Sequence, residues 1–289
     1  MIKRTQVIQQ TERSVWNASI TNEKPKPVAT SPISITEVID GGFAAIRQRP
    51  ISILGSSAIF LVPANLLLTW SLGTDFGYGA MSKLFEGTIS KDALSLIFYT
   101  FPIILSFLLL TLGGVASWVA INKIVANWLV AKDLPLKDAL KYAGSRIIPT
   151  TIIALIVVVI IGILGIISIG IGGFLIAPLF LFAVPVCAIE GLGPIASLKR
   201  SFQLSKSHYG RGLVFILLML LVSLPFIILN NSLDVEDNNL WIVYEFFKVI
   251  LSLTVWPIFS AITCIYYLDL RYRSEGLDLQ VRKKWVFND

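Results

Sequence analysis

The sequence predicts an all-α integral membrane protein with six transmembrane helices arranged as three hairpins and three amphipathic interfacial helices on the cytoplasmic side. Three observations predict it. Of 289 residues, 55% are hydrophobic and only 15% charged, with a mean hydropathy of +0.77. Uncharged runs reach or exceed the roughly 20 residues a helix needs to cross hydrocarbon. The longest, Ile147 to Ile189, contains no Asp, Glu, Lys or Arg. Basic residues collect in alternate connections between the runs.

Residues 1–33 are polar, carry Lys24-Pro25-Lys26-Pro27 and read as a disordered cytoplasmic tail, since so little apolar surface cannot offset the entropy of ordering. Charges and glutamines stand where a signal peptide would hold an apolar core, so insertion is expected to begin at the first internal span. The membrane domain is expected over 34–280, with a basic cytoplasmic tail at 281–289.

Ser34 and Glu37 have capping-box spacing, in which hydroxyl and carboxylate each satisfy an amide of the first turn. The helix after them sets Ile39, Phe43 and Ile46 against Glu37, Asp40 and Arg47. Pro50 leads into a first span over 51–72. The second apolar run, 94–131, would measure roughly 57 Å as a helix, against roughly 30 Å of hydrocarbon. The span is therefore expected at 96–119, with the rest projecting inward. Gly113, Ala116, Ser117 and Ala120 form a small-residue stripe that suits close helix contact in lipid.

A second amphipathic segment sets Leu136, Ala139, Leu140 and Ala143 against Lys137 and Lys141. Spans at 149–169 and 174–189 follow, turning at Gly170–Gly173. Gly191 and Gly193 suit a reversal after Glu190, and Pro194 can open a helix where its missing N–H costs nothing. In that helix Ile195, Leu198, Phe202 and Tyr209 oppose Lys199, Gln203 and Lys206, the pattern of a basic helix lying among headgroups. The last spans are expected at 213–229 and 249–268. Three times, an amphipathic segment leads through a basic residue into a pair of spans.

Of 24 Lys and Arg residues, only Lys83, Lys91 and Lys248 fall outside the tails and the second and fourth connections. With an even number of spans this places both termini in the cytoplasm. The expected location is a prokaryotic inner membrane; a thylakoid membrane fits the same pattern. The net charge of +6 is spread over segments flanking the spans, so nucleic acid is not expected as a partner.

No constellation for catalysis, cofactor binding or metal binding stands out. His208 is the single histidine, and Cys187 and Cys264 lie singly in apolar runs as small hydrophobes. No ionisable residue falls near the centre of a span, where coupled transporters keep them. Pro102, Pro178, Pro185, Pro225 and Pro257 do interrupt apolar runs, and broken helices can line transport sites. Glu190 and Asp269, at cytoplasmic span ends, are read as ion-pair partners that lock the last hairpin to the basic helix. The sharper alternative gathers Glu190, Lys199, Arg200, Arg211, Asp269, Arg271 and Arg273 around one headgroup or protein partner.

Two stretches, AIEGLGPIASLKRSFQLSKSHYGRGL (188–213) and IYYLDLRYRSEGLDLQ (265–280), resemble signatures of the prokaryotic family named for the membrane domain of glycerophosphoryl diester phosphodiesterases. ITEVIDGGFAAIRQRP is similar to the family's opening. The resemblance covers about 36–280 and implies a six-span bundle. It carries no activity over, because the acids and histidines of the phosphodiesterase domain have no counterpart in this sequence. The expected function is a non-enzymatic scaffold or anchor that engages anionic lipid headgroups or a protein partner at its basic face. The alternative is a transporter or flippase for a small or lipidic solute.

Overall fold

A computed structural model describes residues 33–73, 93–129, 132–232 and 241–275. The tails expected at 1–33 and 281–289 thus lie outside the described residues, apart from Ile33. Among the described residues there is no strand, and the helices are α1 (Ile35–Gln48), α2 (Pro50–Gly73), α3 (Ala93–Leu129), α4 (Leu136–Ile167), α5 (Ile171–Phe180), α6 (Ala183–Glu190), α7 (Pro194–Lys206), α8 (Tyr209–Ser232) and α9 (Trp241–Glu275). Five stretches are long and apolar enough to cross a membrane: Pro50–Leu68, Phe101–Leu129, Leu136–Ile167, Ile171–Glu190 and Val249–Glu275. A sixth is reached only if α7 and α8, which meet at a bend of 101°, are taken together over Pro194–Lys206 and Tyr209–Pro225. The chain is a multi-pass, all-α membrane protein.

The Ser34–Glu37 capping box forms as expected, with both reciprocal bonds present. The small-residue stripe also packs: Ala116, Ser117 and Ala120 are buried, and Ser117 meets Ser57 of α2 with hydroxyl oxygens 2.8 Å apart. A Cβ at Gly113 would lie 3.1 Å from the Phe60 carbonyl oxygen.

Two expected elements differ. The second amphipathic segment is no separate helix: α4 runs unbroken from Leu136 through Pro149 to Ile167. Pro149 withholds one N–H from the Ser145 carbonyl without ending the helix, and the Thr150 and Thr151 hydroxyls beside it donate to the carbonyls of Arg146 and Ile147 at 2.8 and 2.7 Å. The fourth span is broken at Leu181–Phe182 into α5 and α6. Pro178 and Pro185 flank the break, and Pro185 has no N–H to offer the Leu181 carbonyl there.

In α1 and α7 small residues form most of the face that docks on the bundle. In α1 the buried residues are Val38, Gly41, Gly42, Ala44 and Ala45, while Phe43 is exposed. In α7 they are Ser197, Ser201, Leu204 and Ser205, while Ile195 and Phe202 are exposed. Lipid satisfies large apolar side chains as well as a protein interior does, so close backbone approach through small residues decides which face docks. A Cβ on Gly42 would stand 2.4 Å from Cγ1 of Ile262, which shows how tightly α1 lies against α9.

The core sits toward one end of the bundle. Val119 to Trp128 of α3, Phe182 to Ala188 of α6, Phe215 of α8 and Ala261 to Leu270 of α9 supply most of its residues. The other end is loosely covered: Leu220, Leu221, Val222 and Leu224 of α8 are exposed, as are Ile163, Ile166 and Ile167 of α4.

Candidate functional site

The packed end carries the charges. Gly191 terminates α6 with φ +72°, a left-handed conformation that glycine accepts without strain, and its N–H reaches the Cys187 carbonyl at 3.2 Å. Gly193 then caps α7, with Pro194 in the first helical position. Together these hold Glu190 at the end of α6, facing α7 and the last turns of α9.

Around Glu190 a first cluster forms. The Tyr267 hydroxyl donates to Glu190 Oε1. Nε of Arg200 lies 3.3 Å from Oε2, and Nε of Arg271 lies 3.4 Å from Oε1. Glu275 closes the ring by pairing with Arg200 and with Arg271, the latter at 3.1 Å. Two arginines face two glutamates, so the set is neutral.

The second cluster centres on Asp269, whose side chain is 1% exposed. Its Oδ2 receives Arg211 at 3.1 Å and Arg273 at 2.9 Å. Its Oδ1 accepts the main-chain N–H of Ile33 at 3.1 Å. The Ile33 carbonyl in turn accepts from Arg211 at 2.6 Å and Arg273 at 2.7 Å. The guanidinium of Arg211 also stands 5.6 Å above the Tyr266 ring. A carboxylate this buried would cost several kcal/mol if left unpaired, on the order of 3–5 when one partner is deleted. Two arginines and one aspartate leave this cluster one positive charge in excess.

A third contact holds the reversal from outside. Nη1 of Arg146 donates to the Gly191 carbonyl at 2.8 Å, and the Tyr142 hydroxyl donates to the Ala188 carbonyl at 2.8 Å. A Cβ at Gly191 would stand 2.8 Å from Nη2 of Arg146.

Of the residues singled out from sequence, Glu190, Arg200 and Arg271 are thus brought into one cluster, and Arg211, Asp269 and Arg273 into another. Lys199 joins neither and points outward. The pairing of both carboxylates with arginines on α7, α8 and α9 is the arrangement expected of an interhelical lock. Ile33, Arg146, Tyr267 and Glu275 complete the site and were not anticipated. Glu275 and Tyr267 do lie within the 265–280 motif. Ile33 acts through its peptide and leaves no side-chain signal.

Lys132, Lys137, Lys141, Lys199 and Lys206 are exposed around this end. Arg146, Arg200, Arg211, Arg271 and Arg273 are turned inward to carboxylates and carbonyls, and these five lysines outward. This division matches their chemistry: a planar guanidinium can bridge several acceptors, whereas an ammonium on a long stem stays hydrated. Among the described residues no group of three or more His, Cys, Asp or Glu is placed to hold a metal ion.

No family model, no curated protein and no solved structure matches this chain.

Proposed function

We propose that the protein is a non-catalytic membrane scaffold whose charged end lies at the cytoplasmic surface and engages anionic lipid headgroups. The observation that carries this reading is the sorting of cations. Half-buried arginines neutralise the carboxylates of the two clusters, and Lys137, Lys141, Lys199 and Lys206 stand exposed around them. Each such charge near an anionic leaflet is worth about 1 kcal/mol. The exposed Phe43, Ile195 and Phe202 supply apolar anchors at the same level. A prokaryotic inner membrane with both termini in the cytoplasm fits the distribution of Lys and Arg.

Among the candidate residues, Lys199 is the one offered directly to a headgroup. Arg200, Arg211, Arg271 and Arg273, with Glu190 and Asp269, form the platform that holds it. Replacing Lys137, Lys141, Lys199 and Lys206 together by Gln tests the proposal. Native mass spectrometry of the purified protein should show retained anionic lipid falling while the protein stays folded. Unchanged lipid retention refutes it; loss of one recurring protein partner instead makes that partner the occupant of the face.

One observation favours transport as a second reading. The fourth span is interrupted between α5 and α6, with Pro178 and Pro185 on either side, the kind of broken helix that lines transport sites. Flux of a small or lipidic solute in proteoliposomes, abolished by a cross-link across that break, would favour it.

A further inference from the structure

Along the contact between α3 and α9, several polar atoms are sealed from solvent without a hydrogen-bond partner. They are Nε1 of Trp118, both Oδ1 and Nδ2 of Asn122, and Oγ of Ser260. Asn122 is 0% exposed and Ser260 3%. Trp118 and Asn122 are four residues apart on α3 and share a face. Trp256, Ser260 and Cys264 share a face of α9 by the same spacing. Two contacts join these faces. The Trp118 and Trp256 rings meet edge to face at 5.7 Å between centroids, and the Cys264 thiol reaches the Asn122 carbonyl at 3.5 Å. Ser260 lies one turn from each of these anchors, so the unpaired atoms line one stretch of seam.

The seam continues past the tryptophans. Leu110 and Gly114 precede Trp118 at the same four-residue interval, and with Leu61, Asn65, Val255 and Trp256 they line a cavity of about 270 Å³. The two rings therefore stand between this cavity and the polar stretch beyond.

We infer that the α3/α9 seam holds internal water at Asn122, closed off from the neighbouring cavity by the Trp118–Trp256 contact. The donor and acceptor types select the ligand. An indole N–H can only donate, so a cation would meet a repelling group there. Asn122 Oδ1 can only accept, which disfavours an anion. Water satisfies both, accepting from Trp118 Nε1 and Asn122 Nδ2 and donating to Asn122 Oδ1 and Ser260 Oγ. A buried water commonly makes about three such bonds. This inference does not rest on the scaffold reading.

The protein contains its own control. Cys264 borders the seam with its thiol on the Asn122 carbonyl, and Cys187, equally buried and likewise hydrogen-bonded, lies on α6 against Thr150 and Leu192. Hydroxyl radicals generated by a brief X-ray pulse arise from water and oxidise what that water touches, and peptide mass spectrometry reads the yield. In the whole protein in detergent, Cys264 should oxidise several-fold faster than Cys187. Asn122→Leu should bring the ratio close to one. If Asn122→Leu does not fold, Ser260→Ala should lower the ratio in the same direction. Equal rates in the unaltered protein would overturn the inference, as would a high ratio that neither substitution changes.

Discussion

The Asp269 carboxylate accepts the main-chain N–H of Ile33 at 3.1 Å across 236 positions of sequence, and the two arginines that pair with that carboxylate also donate to the Ile33 carbonyl. The main chain of one residue is thereby held through both its N–H and its carbonyl. The start of the described chain is fixed to the last helix by groups that are themselves buried and charged.

Asp269→Asn tests what the charge contributes. The amide oxygen can still accept from Ile33, but Arg211 and Arg273 lose their counter-charge. Stability should fall by about 3–5 kcal/mol, the cost of breaking a buried pair from one side. Thermal denaturation in detergent measures it. The double variant Asp269→Leu, Arg211→Leu should be less damaging than the two single costs summed.

Tyr267→Phe removes one hydroxyl from the Glu190 cluster and leaves Arg200, Arg271 and Glu275 in place. The expected cost is about 1.5–3 kcal/mol, as for a hydrogen bond to a charged group. Glu190→Gln should cost more, since both arginines lose a partner, and the same denaturation series ranks the two.

Gly191→Ala should destabilise by about 1–2 kcal/mol from its left-handed backbone alone, with a further loss because the new methyl meets Arg146. Combining it with Arg146→Ala relieves the second part only. Because Arg146→Ala also removes the bond to the Gly191 carbonyl, the comparison is a double-mutant cycle: an equal cost of Gly191→Ala with and without Arg146 would show that the backbone supplies the whole effect.

Gly42→Val places a branched side chain against Ile262 at the α1–α9 contact. Either α1 lifts or α9 shifts, at a cost of about 1–3 kcal/mol for overpacking. Faster proteolysis near Arg47 and Arg49, with the α2–α3 fragment intact, is the expected signature.

What could be read from the residues was local. The Ser34–Glu37 cap, the α2–α3 stripe and the Gly191-Gly193-Pro194 reversal each depend on neighbours within one or two turns. The pairing of Glu190 and Asp269 with nearby arginines was also legible, because acids at span ends need cations. The docking faces of α1 and α7 were not. Periodicity marks Phe43, Ile195 and Phe202 as apolar, but in a membrane an apolar side chain gains little by turning inward, and Gly42 and Ser201 contact the bundle instead. The break in the fourth span needed Pro178 and Pro185 read together. The role of Ile33 depends on a backbone group that every residue but proline carries.

The grip on Ile33 has a geometric consequence. Asp269 and Arg273 hold it, and α9 ends at Glu275. Six residues of helix rise about 9 Å, so Ile33 and the end of α9 at Glu275 lie at one corner of the molecule. The entry to the first helix and the exit of the last are thus one mechanical unit, and a change that frees Ile33 also loosens the last turns of α9.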